Sequence, residues 1–119
     1  METNIDESLL ISARIDINST IPIREQILRI AVYDEFKAYE TYTKIIEKFG
    51  LIQPFVNIKE AEAVHYSALI QLMQKYNIEV PINNWDTKIE IPNSIIECCE
   101  LGVASEINNI AMYNNLLNY

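Results

Sequence analysis

Glu35, Glu62, His65 and Glu106 are the residues of this chain whose types and spacing could do chemistry. Each glutamate falls inside an otherwise apolar seam read at alternating steps of three and four. The first seam is Leu28, Ala31, Glu35, Ala38, Tyr42, Ile45 and Phe49. The second is Phe55, Ile58, Glu62, His65, Leu69, Leu72 and Tyr76, and the third is Ile96, Cys99, Val103, Glu106, Ile110, Tyr113 and Leu117. An amphipathic helix buries such a stripe. A buried carboxylate is costly unless a proton, a cationic partner or a metal ion neutralises it, and these seams hold no Lys or Arg. Glu62 and His65, three apart, lie about one turn from each other on one helix face. Carboxylates supply hard, anionic donors able to bridge two ions, and a neutral imidazole supplies a directional nitrogen. The same spacing would also arise without a metal, from a core histidine paired as imidazolium with Glu35 or Glu62 and a Glu106 turned to solvent.

Three long helices must position these residues. Two glycines and four prolines leave little punctuation in the chain, which favours few, long helical elements. The first helix is expected from Pro22, with Thr20 as its cap, to Phe49, where Gly50 stops it. The second opens at Pro54 and continues to about Tyr76. Residues 78–92 read as a long irregular connection, pinned across the bundle by Val80, Ile82 and Trp85. Asn93 or Ser94 caps the third helix, with Glu97 placed for a capping box. That helix has no stop signal before Tyr119, and Gly102 within it would permit a close helix contact. Residues 1–20 form an N-terminal segment, irregular or a short helix, in which Leu9, Leu10, Ile11, Ile15 and Ile17 could pack on the helical domain of residues 21–119.

At 119 residues, half of them apolar, the chain suffices for one domain with its own core. A net charge of -8 repels nucleic acid phosphates and anionic membrane surfaces. The start Met-Glu-Thr-Asn-Ile-Asp-Glu-Ser has no basic region leading into an apolar run, and no apolar stretch is long enough to cross a bilayer. A cytoplasmic protein is expected. Cys98 and Cys99 point about 100° apart on a helix, so a bond between them would be strained. Both read as free thiols, with Cys99 facing the core.

The stretch Asp34-Glu35-Phe36-Lys37-Ala38-Tyr39-Glu40-Thr41-Tyr42 resembles the first-helix signature of the ferritin-like, rubrerythrin-related superfamily. Pro54-Phe55-Val56-Asn57-Ile58, running into Ala61-Glu62-Ala63-Val64-His65, is similar to the second helix of its small bacterial members. Tyr76, Val80-Pro81 and Asn84-Trp85 resemble their inter-helix connection, and Gly102-Val103-Ala104-Ser105-Glu106-Ile107 with Tyr113 resembles their third helix. The resemblance spans residues 24 to 117. It implies an all-α, antiparallel ferritin-like bundle. It also implies an iron or manganese centre in which Glu35, Glu62 and His65 hold one ion and Glu106 belongs to a second. Those relatives continue into a fourth helix with a further glutamate and histidine, whereas this sequence ends before one. Three residues after Glu106 stands Asn109, not a histidine or an acid. The resemblance therefore leaves three outcomes: two chains share ligands in a homodimer or other homo-oligomer, the site holds one metal, or metal binding has been lost.

Counting from the turn raises a second question. Glu35 lies 14 residues before Phe49, but Glu62 lies only seven after Phe55, a mismatch of about 10 Å at 1.5 Å per residue. Glu40 is better placed by this count and stands as the alternative to Glu35. Tyr39 and Tyr42 could hydrogen-bond the ligand carboxylates. The functions expected are a metal-binding carboxylate protein that reacts with oxygen or peroxide or stores the ion, or a helical module for self-association. Thiol redox chemistry at Cys98 and Cys99 is a third.

Overall fold

Apolar residues recur around most of the circumference of the first long helix, and the chain folds by wrapping the other elements onto it. The computed structural model describes residue 10 and residues 12–119. Its long helices are α1 (Ile23–Phe49), α2 (Phe55–Lys75) and α3 (Ile95–Leu116), with a 3-10 turn at Trp85–Thr87. No strand occurs among the described residues, and none of their helices is long and apolar enough to cross a membrane. The protein is an all-α helical bundle.

Helix α1 is the central element: Ile30, Val32, Tyr33, Tyr42 and Ile45 are almost wholly inaccessible. It ends where Gly50, at φ 96°, donates its backbone N–H to Ile46 O at 2.8 Å, a conformation that costs glycine little. Its start differs from expectation. Pro22 occupies the N-cap and no side chain caps the helix, Thr20 included. The buried Gln26 amide ties down the incoming chain instead: Nε2 donates to Ile21 O (2.7 Å) and Asp16 O (3.0 Å), and Oε1 accepts from Asp16 N (2.8 Å). That tether seats Ala13 and Ile15 against Ile30, Ala31, Met112 and Leu116, while Ile17 is exposed. Leu9 and Ile11 lie outside the described residues.

Helix α2 runs antiparallel to α1. Phe55 packs with Tyr42, Glu62 meets Glu35 through His65, and Leu69 joins the cluster built on Leu28. These pairs are spaced by seven residues on each helix, so one register runs the length of the contact. The 10 Å mismatch is absorbed because α2 begins level with Tyr42, not with Phe49. The connection between Gly50 and Pro54 runs back along α1, with Ile52 packed inward and Leu51 exposed. The expected second seam drifts in its last two turns. Tyr66, Leu69 and Met73 face the core, whereas Leu72 and Tyr76 are exposed.

Between α2 and α3 the chain is irregular, apart from its 3-10 turn. Trp85 Nε1 donates to Tyr33 O (3.0 Å), the Tyr33 hydroxyl donates to Asn84 Oδ1 (2.7 Å), and Val80 packs on the Met73 cluster. Ile82, expected to pin this segment, is 82% exposed. Ser94 opens α3 through a reciprocal pair. Its Oγ accepts from Glu97 N at 3.1 Å and donates to the Glu97 carboxylate at 3.0 Å.

The third seam is the largest correction. Cys98, Gly102, Met112 and Leu116 are buried, with Ser105, Asn109 and Tyr113 half-buried between them. Ile96, Cys99, Val103, Glu106, Ile110 and Leu117 are exposed. The inward face is thus one residue earlier than expected, and Cys98, not Cys99, faces the core. Both thiols are free, and burial pushes that of Cys98 up. Helices α2 and α3 both pack on α1, and their backbones do not approach each other.

Candidate metal centre

Position 35 of α1 and positions 62 and 65 of α2 come together in the middle of that register. His65 Nδ1 lies 3.0 Å from Glu35 Oε2 and 3.0 Å from Glu62 Oε1. One ligand atom from each residue can be chosen so that all lie within 4.8 Å of one another. The carboxylate side chains are 3% and 6% exposed, against 55% for His65. The acids therefore form the floor and the imidazole the rim. Glu62 was expected on the buried seam and is there, whereas His65 stands on the seam's open flank.

Burial dominates the electrostatics. It raises the Glu35 carboxyl to about 7; Glu62 adds to the rise, His65 opposes it, and Asp34 adds a further increment. Glu62 is raised by burial first and by Glu106 second, with His65 again opposing. Neither Lys nor Arg figures among the charges acting on either acid. The imidazole is one potential cation between two buried acids.

Glu106 stands apart from the compact group and is exposed, although its charge acts on both Glu62 and Tyr42. The Tyr42 hydroxyl is buried beside these acids, where Glu106 and Glu62 act on it. Tyr39 is turned away, edge-on to Tyr66 at 5.3 Å. Glu40 accepts from Asn83 Nδ2 at 3.1 Å and takes no part in the group, so Glu35 and not its alternative meets Glu62. Three neighbours escaped the sequence reading as site residues: Asp34, Asn109 and Tyr113. Asn109 Nδ2 donates to Asp34 Oδ2 at 2.6 Å. The Tyr113 hydroxyl is pushed up by burial and then by Glu35. Tyr113 lay on the seam first read without being singled out, whereas Asn109 stands one residue before that seam, at three-to-four spacing from Gly102 and Ser105.

Gly102 makes room for Tyr42. A Cβ there would stand 3.2 Å from the Tyr42 hydroxyl oxygen, tighter than a relaxed contact. Gly102→Val is therefore expected to cost about 1–3 kcal/mol by overpacking, read as a lower urea midpoint with an unchanged slope.

The donor set suits a metal ion. Two buried carboxylates and an imidazole converge, and no Lys or Arg acts on the acids. Compared with known protein families, with curated proteins and with solved structures, the chain matches none. The ferritin-like resemblance thus rests on the motifs quoted above.

Proposed function

We propose that this protein is a ferritin-like metal-binding carboxylate protein that holds a first-row divalent ion, iron or manganese, at Glu35, Glu62 and His65. The convergence of two buried carboxylates on one imidazole nitrogen carries the reading. Burying acids this way raises the free energy of the ion-free state, and binding a cation relieves it. Three protein ligands leave further positions for water, oxygen or peroxide, and such an ion would supply redox chemistry or be held in store. The chain's part is to exclude water from the acids through Tyr42, Tyr113 and the α1–α2 contact, and to leave His65 as the open side.

Mn²⁺ added to metal-free protein is expected to raise its melting temperature. At 100 times the dissociation constant the stabilisation is about 2.7 kcal/mol. Glu62→Ala and His65→Ala should abolish that rise. An equal rise in both variants would show binding elsewhere, and no rise in the wild type with Mn²⁺, Fe²⁺ or Zn²⁺ would refute the proposal.

The second reading, self-association in a homo-oligomer, is favoured by the apolar side chains left exposed on α2 and α3: Val64, Val103, Ile107 and Ile110. Sedimentation of the metal-free protein as a stable oligomer would support it, and a monomer at high concentration would end it.

A further inference from the structure

Asn109 sits where α3 crosses α1. Its Nδ2 donates to Asp34 Oδ2 at 2.6 Å and reaches Glu35 Oε1 at 3.4 Å. An amide has one donor end and one acceptor end, and only the donor end is favourable between two carboxylates. The direction of the side chain therefore follows from its chemistry as well as from its distances. The other Glu35 oxygen, Oε2, is the one 3.0 Å from His65 Nδ1. The two oxygens of one carboxylate thus have different neighbours: a neutral donor from α3 on one side, His65 on the other. Asp34 is half-buried and its charge acts on both acids of the group. Its carboxylate accepts from the Asn109 amide.

Resting on the metal reading above, we infer that Asn109 is a positioning residue of this centre. It holds Glu35 as a one-oxygen ligand and keeps Asp34 out of the ligand set. A neutral donor is suited to both tasks. A lysine here would cancel the charge that attracts the ion, and a carboxylate would stand against Asp34 with no proton to share. Orienting groups of this kind typically change metal affinity by 10–100-fold when removed.

The test uses Co²⁺ as the probe, titrated into metal-stripped full-length protein by calorimetry, with the visible spectrum recorded at saturation. Wild type is expected to bind one Co²⁺. Asn109→Leu should bind roughly 10–100-fold more weakly. Its absorption bands should change, because the freed Glu35 oxygen and Asp34 become available to the ion. Asp34→Asn separates positioning from ligation: its amide oxygen still accepts from Asn109, so its loss should be smaller than that of Asn109→Leu. If circular dichroism shows Asn109→Leu to be unfolded, Asn109→Ser, too short to reach either acid, gives the same comparison. Wild-type affinity and an unchanged spectrum in the Asn109 variant would overturn the inference. So would a larger loss in Asp34→Asn, which would place Asp34 among the ligands. No Co²⁺ bound by the wild type is a different result, and it would remove the metal reading itself.

Discussion

Glu35→Gln is expected to make the metal-free protein more stable at pH 8 and to remove its response to metal. In the wild type at that pH a carboxylate only 2% exposed is ionised next to another buried acid. Its carboxyl, raised to about 7 from an ordinary 4.5, measures how unfavourable that charge is. An amide of the same shape carries no charge, still offers an oxygen to His65 Nδ1, and leaves the α1–α2 packing intact. The gain should be about 1–3 kcal/mol at pH 8, since a pKa unit corresponds to about 1.4 kcal/mol. It should appear as a rise of several degrees in melting temperature. A structural carboxylate would behave in the opposite way, its loss lowering stability. The combination of a stabler apoprotein and a lost metal response is characteristic of a site in which stability has been exchanged for affinity. Chemical denaturation of both proteins with and without Mn²⁺ reads both halves of the prediction, and a destabilised Glu35→Gln would contradict it.

The stability of the metal-free protein is expected to fall as pH rises from about 4.5 to 7.5. The sign follows from proton uptake. The folded Glu35 carboxyl, near 7, binds its proton more tightly than the unfolded one near 4.5. Between those values the native state holds more protons, so raising pH favours unfolding. The contribution is complete below the unfolded value and lost once pH passes the folded one. Glu62 shifts in the same direction, so the two acids add. Asp34 and Glu106 face the same group and add to these rises, His65 opposes them, and the Tyr113 hydroxyl packs beside Glu35. Metal reverses the trend, because an ion binds the deprotonated acids. With saturating Mn²⁺ the fall from pH 5 to 8 should flatten or invert. Glu35→Gln should lessen it without metal, leaving the part that Glu62 contributes. Melting curves across that range check both, and a wild-type stability that climbs steadily to pH 8 without metal would contradict the account.

Much of this arrangement is legible in the residues, for reasons that differ between helices. Helix α1 has strong punctuation, with Pro22 before it and Gly50 after, and its seam is buried from Leu28 to Ile45. Helix α3 misleads because it is apolar on two adjacent stripes. Ile96, Val103 and Ile110 make the more hydrophobic line, yet the helix buries Cys98, Gly102 and Met112. The line facing α1 carries a glycine, a serine and an asparagine. Close packing on Tyr42 and a hydrogen bond to Asp34 fix it, and neither is visible to a count of apolar residues. Depth along the bundle was unreadable for a similar reason. The antiparallel register depends on where the five residues from Gly50 to Pro54 run, and they turn back along α1 rather than away from it. Pairing Glu35 with Glu62 therefore needed the three-dimensional contact of Phe55 with Tyr42. Asn109 was conspicuous in the sequence as a residue that cannot replace a histidine or an acid, and the fold gives it a neighbour, Asp34, 75 residues earlier in the chain.

The central claim is that Glu35, Glu62 and His65 form one cation site, and equilibrium dialysis of metal-stripped protein against Mn²⁺ or Fe²⁺, followed by elemental analysis, tests it most directly. The account predicts one ion retained per wild-type chain and essentially none in Glu62→Ala or His65→Ala. A wild-type chain that retains no ion at neutral pH, or variants that retain as much as the wild type, would contradict it.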